Sequence, residues 1–354
     1  ILIGRKAVTG PNHDVWARSS VLCATGIGLL AIMSVLHAPN TAFAVREFAT
    51  VLGLASIAAV IANCQNKAQL AILNVTVVVA ASLYAGLVLL SLFITIAHAG
   101  ALERVIVILG YDNYRFFNHT QTVMLPLLAI PTSRLFQDGK FARLAWFALT
   151  INFAFLLFTA GRATVVAMMS ATLLSLLLFR GPCIPYARDL LVGAVVGALL
   201  YFGLFIGVPH LIGSLVESNS VAELQSDHSR FRLWRLAFDY MAQEPWLGIG
   251  PMHYAHYINL KAAHPHNIYL QIASEWGLPM LTALVTLSTW AAYRMYKTIE
   301  TCLDHEQAMI GIGIFTALIA IAVDGIFSGN FVMPVSQVWI AFAIGLAIAW
   351  TRLN

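Results

Sequence analysis

The sequence is poor in charge. Asp, Glu, Lys and Arg make up 10% of it, against 60% apolar residues. Soluble domains carry roughly a quarter charged residues, so an ordinary soluble domain is excluded. Strand-like runs of roughly 4–8 residues and helices with charged faces are missing too, which excludes a soluble α/β protein. Cysteine is scarce, with 4 in 354 residues. Cys23 falls inside an apolar run and Cys64, Cys183 and Cys302 near the ends of others, so no disulfide framework is implied. A signal-peptide pattern is also lacking, because Arg5, Lys6 and Arg18 flank polar residues and not a short apolar core. The chain begins at Ile1 and not at Met, from which we expect natural N-terminal residues, including further spans, to precede it.

What the sequence has instead is apolar length. Crossing a bilayer takes about 20 helical residues. Residues 19–36, 70–97, 144–160, 163–179, 190–209, 276–293, 307–323 and 331–350 form runs without a single Asp, Glu, Lys or Arg. Residues 48–62 add a short run, and 116–133 one interrupted by Pro126 and Pro131. The expectation is an all-α, polytopic membrane helix bundle of about ten spans. Residues 1–209 would carry seven of them and residues 268–354 the last three, with 210–267 as one long extracytoplasmic loop. Of the 20 Lys and Arg, 12 fall on the side that holds both termini and 8 on the other, four of those eight in the long loop. By the positive-inside rule the termini are cytoplasmic and the long loop faces out.

Loops of that length in compact proteins are functional or disordered, and this one is not low-complexity. Residues 231–242 read as an amphipathic helix whose apolar stripe is Phe231, Trp234, Phe238 and Met241. Asp227 or Ser229 is the expected cap. Pro245 ends it, and Gly248 and Gly250 permit a tight turn.

The densest polar cluster is His253, His256, His264, His266 and Asn267, at the end of the loop. Histidine suits proton transfer near neutral pH. His253 and His256 also read as interfacial residues without a role. The pair His264-x-His266 admits a metal reading, but a catalytic metal wants three fixed ligands, and no strong metal spacing is present. Asn267 stands where it can cap the following helix. A second constellation is basic: Arg162 between two apolar runs, then Arg230, Arg232 and Arg235 in the loop. Arginine grips phosphate oxygens bidentately, though an Arg at a span end also snorkels to lipid headgroups. Arg230 and Arg235 are five apart and cannot share one helix face. Asp324 opens the hairpin before the last span, as a helix-end carboxylate or as a group positioning an Arg or an acceptor hydroxyl. Arg115 and His119 form a further outward patch, read as substrate contacts or as interfacial anchors. All these clusters fall on the outer side, whereas a transporter keeps ionisable groups near the midplane.

His266-Asn267, nine spacer residues and Gly277 resemble the signature of the bacterial O-antigen ligases. Met280 stands where that signature has a second Gly, and Thr282 follows. Residues 229–234 and 244–250 are similar to the loop of the wider superfamily, which includes O-antigen polymerases and protein O-oligosaccharyltransferases. Arg230, four before Trp234, matches the family arginine better than Arg232. The resemblance implies a multi-pass protein of the bacterial inner membrane with its active site facing the periplasm. It implies a donor glycan on undecaprenyl diphosphate, an acceptor hydroxyl on lipid A-core oligosaccharide, contact with membrane lipid and none with nucleic acid. His266 would be the general base, with Arg162 and Arg230 on the diphosphate. Arg232, His264, Asn267, Asp324, Arg115 and His119 would bind substrate. Neither a metal nor another cofactor is called for, since arginines can neutralise a departing diphosphate. The rival readings are the polymerase, the protein O-oligosaccharyltransferase, disfavoured because no soluble extension follows Trp350, and a lipid or glycan transporter.

Overall fold

The structure is a computed structural model. It describes residues 12–99, 101–102, 108–111, 113–132, 139–207, 215–216, 226–256, 263–329 and 333–354, with backbone alone at 12–23, 96, 98–99, 101–102, 215–216 and 226–229. The protein is a polytopic helical bundle. Among the described residues there are α1 (Asn12–His37), α2 (Thr41–Ala62), α3 (Lys67–Ala99), α4 (Phe116–Ile130), α5 (Gly139–Phe158), α6 (Arg162–Tyr201), α7 (Ser226–Gln243), α8 (Ile268–Glu275), α9 (Leu278–Thr301), α10 (His305–Phe327) and α11 (Pro334–Leu353). Two-residue strands, β1 (Ala101–Leu102) and β2 (Leu215–Val216), pair in parallel. Six helices among the described residues are long and apolar enough to cross a membrane by length and composition alone.

That is fewer than about ten, and the difference has local causes. The runs 163–179 and 190–209, expected as two spans joined by a loop, lie on one helical stretch, Arg162–Gly207. It is broken only at Phe179, where φ is −120° and ψ 28°. Pro182 falls in the first turn after that break, where a missing N–H costs little. The run 116–133 gives the 15-residue α4, which carries Pro126 inside and stops at Pro131. The run 276–293 is divided by Gly277 between the end of α8 and α9. In compensation, α2 starts well before residue 48, because Asn40 Oδ1 accepts from the N–H of Ala42 and of Phe43 at 3.1 and 3.4 Å.

The chain forms two compact units, interleaved in sequence. One comprises residues 1–59 and 226–291, the other residues 60–225 and 292–354. In the second unit α10 packs on α6 and α4, and α5 packs on α6. Small residues let the backbones close up, as membrane helices require. A Cβ at Gly197 would lie 2.7 Å from the carbonyl oxygen of Thr150, and one at Gly193, four residues earlier, 2.7 Å from Leu149 Cδ2. Polar groups bridge helices inside this bundle. Ser175 and Thr316 share a hydrogen bond of 2.8 Å, and Gln121 Nε2 donates to Asn152 O at 2.7 Å. Large apolar side chains also point outward, among them Leu83, Phe93, Leu173 and Leu199, the all-round apolarity of a membrane helix.

In the first unit α7 packs on α8. The helix expected over 231–242 is present, but it begins at Ser226, so Asp227 and Ser229 lie in its first turn and not at a cap position. The stripe facing the unit is not the expected one either. Leu233, Ala237 and Tyr240 are buried, whereas Phe231 and Phe238 are 69% and 54% exposed.

Candidate functional site

The histidine motif is built around α8. Asn267 is its N-cap, and its Oδ1 accepts from the N–H of Leu270 at 3.0 Å. The helix it starts is only eight residues long; the long apolar α9 begins after Gly277. His266, one residue before the cap, has φ +54°. That left-handed conformation is uncommon outside glycine, though His tolerates it better than most, and it costs about 1 kcal/mol. What holds it is local. The His266 N–H donates to His264 Nδ1 at 3.1 Å, and the two rings meet edge to face with centroids 4.3 Å apart. His264 is buried and His266 half-buried. Because His264 Nδ1 accepts, neutral His264 carries its proton on Nε2.

Helix α7 holds this loop from the side. The indole N–H of Trp234 donates to Pro265 O at 3.0 Å. One residue earlier, Leu233 O accepts from Tyr254 Oη at 2.8 Å. Arg230 is one turn before Trp234 and shares the Leu233, Trp234 and Ala237 face by helical spacing. The three loop arginines therefore separate: Arg230 is half-buried, while Arg232 and Arg235 are exposed.

His253 and His256 are occupied structurally. His253 Nε2 accepts from the N–H of Asn40 at 3.0 Å, and its Nδ1 donates to Pro251 O at 2.9 Å. His256 stacks on Phe43 at 3.9 Å. Among the described residues, no three His, Cys, Asp or Glu gather where they could hold a metal ion.

Beneath the loop, residues 246–250 lie backbone to backbone against the end of α8. Ile249 N donates to Ser274 O at 2.8 Å, Gly250 N to Glu275 O at 3.1 Å, and Leu278 N to Pro245 O at 2.9 Å. Gly248 and Gly277, at φ +69° and +88°, make this approach possible. A Cβ on Gly248 would lie 2.7 Å from Trp276 N, and one on Gly277 2.6 Å from Trp246 C. The motif's nine-residue spacer is thus α8 plus Trp276. Its Gly is the point where the chain passes under the loop.

One group here escaped sequence reasoning. Glu275 is 3% exposed. Burial pushes its carboxyl up to about 8, and the neighbouring Glu47 carboxylate acts in the same direction. The available signal was that Glu275 is the lone Asp, Glu, Lys or Arg between residues 262 and 293.

The second unit gathers a different set. His119, on α4, meets Asp324, on α10, with Nδ1 3.3 Å from Oδ2. Ser328 Oγ donates to the same oxygen at 2.7 Å. Asp324 is wholly buried, and among the described residues its Oδ1 has no hydrogen-bond partner. Next to His119 in sequence, Asn118 Oδ1 accepts from Thr159 Oγ1 at 2.5 Å, and Thr122 and Thr164 hydroxyls meet at 2.9 Å. These bonds tie the start of α4 to the turn that launches α6. Ala160 is left-handed there, at φ +54°, and Gly161 leaves no room for a Cβ beside Asn118. Arg162 follows as the first residue of α6, a helix without a side-chain cap. Ala167 and Ala171 of α6 pack on Ala320 of α10, so Arg162 and Asp324 lie toward the same end of the unit. Arg115 is the residue before α4, its guanidinium 5.7 Å from the Tyr114 ring centroid. Three features that are separate in the sequence, the Arg115 and His119 patch, Arg162 and Asp324, thus fall at one end of this bundle.

Residues 147–285 match a protein family described as O-antigen ligase. The match is to the O-antigen ligases. It covers under half of the 354 residues, but it includes Arg162, Arg230, His264, His266, Asn267 and Gly277. Arg115 and His119 precede the O-antigen ligase match and Asp324 follows it. No curated protein matches the chain.

Proposed function

We propose that this protein is an O-antigen ligase: an inverting, metal-independent glycosyltransferase that moves a glycan from undecaprenyl diphosphate to a sugar hydroxyl of lipid A-core, at the periplasmic face of the bacterial inner membrane. The coarser assignment, an O-antigen ligase or polymerase-type glycosyltransferase, follows from the family match and the polytopic helical fold. The observation that carries the finer one is His266. It lies in the matched stretch and is held in a strained backbone conformation between His264 and the Asn267 cap. Strain of this kind persists where the surroundings over-determine a residue, and it concentrates at functional sites.

In this reading the acceptor hydroxyl attacks the anomeric carbon while the bond to the diphosphate oxygen breaks. His266 takes the hydroxyl proton, and the diphosphate leaves with the bonding pair. One displacement inverts the anomeric centre. His264 holds His266 in place. Arg230, on the face of α7 that carries Trp234, is assigned to the diphosphate. Arg162 keeps the phosphate-gripping role because it adds a guanidinium to the positive end of an uncapped helix. His119 and Asp324 are assigned to substrate hydroxyls, with Asp324 orienting the imidazole.

The test is a transfer assay on purified, membrane-reconstituted protein in EDTA, with a lipid-diphosphate-linked glycan and rough lipopolysaccharide. A single-step shift of the lipopolysaccharide is expected. A ladder of lengthening lipid-linked glycan would make it a polymerase. Movement of donor without a covalent product would make it a transporter, and activity restored only by an added metal would end the metal-independent mechanism.

A further inference from the structure

Glu275 sits at the far end of α8 from His266. Its Oε1 accepts from the N–H of Tyr254 at 2.8 Å, and its Oε2 lies 3.3 Å from the Gln271 side-chain amide. No cation pairs with it among the described residues. Among the described residues, Gln271 Oε1 is buried without a hydrogen-bond partner. A carboxyl buried this deeply with no cation beside it, and with the Glu47 carboxylate nearby, favours its protonated form.

The bonds that start at Glu275 close a ring. Tyr254, held by Glu275, donates its hydroxyl to Leu233 O on α7. The next residue, Trp234, holds Pro265 O. Two residues on, Asn267 caps α8, whose last residue is Glu275. His266 lies on this ring between Pro265 and Asn267.

We propose that Glu275 acts as a neutral acid, a hydrogen-bonded clasp joining the 248–254 loop to α8 and so positioning His266. It is a positioning residue and not a catalytic one. The role rests on the reading of His266 as the base. Ionisation opens the clasp, because it leaves a buried anion without a cation among the described residues and draws water into the contact. The ionisable groups on the packed elements are Glu47 and Arg46 on α2, Tyr254 and His253 in the loop, Tyr240 on α7, and His37 on α1, which pairs with Glu244 at 3.2 Å. The folded carboxyl titrates at about 8, against an ordinary 4.5. The folded state therefore holds the extra proton across that window, and stability falls as pH rises through it.

Transfer rate and thermal midpoint of the reconstituted full chain are measured across roughly pH 5 to 9. Wild type is compared with Glu275→Gln and Glu275→Ala. Glu275→Gln, a permanently neutral isostere, is expected to transfer within about threefold of wild type at neutral pH, where truncation misplaces the base and Glu275→Ala loses about a hundredfold. That loss should appear in kcat with donor KM nearly unchanged. Glu275→Gln should also lose the decline of thermal midpoint that wild type shows across the window. A folded Glu275→Gln that is inactive at neutral pH overturns the proposal, because the charge itself would then be needed. So does a Glu275→Gln variant with the same alkaline decline as wild type. If wild type transfers nothing, the functional reading fails, and the thermal midpoints still decide whether Glu275 is held neutral.

Discussion

Replacing Gly277 with Ala tests how the motif's glycine acts. At φ +88° an L-residue is strained, by about 1–2 kcal/mol. The new Cβ would also press on the Trp246 carbonyl, 2.6 Å from its carbon, and lie 2.9 Å from Leu247 N. Both neighbours are backbone and cannot swing aside. Relieving the clash means moving residues 246–247 away from α8. The bonds Ile249 N to Ser274 O, Gly250 N to Glu275 O and Leu278 N to Pro245 O all depend on that approach. Losing two of them costs about 2 kcal/mol, so the total loss is about 3–4 kcal/mol. The assay is thermal unfolding in detergent alongside transfer rate, with Gly53→Ala as the control. Gly53 lies in α2 with nothing within 4 Å of its added Cβ, and there Ala stabilises a helix by up to about 1 kcal/mol. If Gly277→Ala melted with wild-type protein and transferred at its rate, the backbone-to-backbone account of the motif would be wrong.

Trp234→Phe keeps an aromatic ring but leaves Pro265 O without its donor, at a local cost of about 1–3 kcal/mol. Transfer should fall while circular dichroism stays that of wild type; an unchanged rate would show that the indole bond does not hold the histidine loop. Asp324→Asn and His119→Ala should each reduce turnover, and the double variant should lose less than the sum, with a coupling of about 0.5–3 kcal/mol. Strict additivity in that cycle would show that the carboxylate and imidazole do not act as a pair.

The sequence displayed the helical class plainly, since charge-free runs near 20 residues admit few other readings. Asn267 as a cap was legible for a similar reason, because capping is decided within four residues. The face of α7 was not. A buried stripe of Phe231, Trp234, Phe238 and Met241 requires that the largest apolar side chains turn inward. In an apolar protein the small Ala237 allows the closer contact, and Phe231 and Phe238 stay outside. The continuity of α6 was hidden by Arg180, Pro182, Pro185 and Arg188, which look like a loop but fall within a helix broken only at Phe179. His119 and Asp324 are 205 residues apart, so each was visible alone and their pairing was not. Glu275 is not legible as a buried group, because a lone acid beside an apolar run looks like a helix end. Its burial depends on glycines 248 and 277 letting a distant loop fold over it.

The central claim is that His266 is the general base. It is tested most directly by measuring transfer rate and donor affinity of His266→Ala in the same reconstituted preparation. The account predicts a loss of about a hundred- to ten-thousandfold in rate with donor affinity unchanged. A variant that binds donor poorly but turns over what it binds at the normal rate would contradict it.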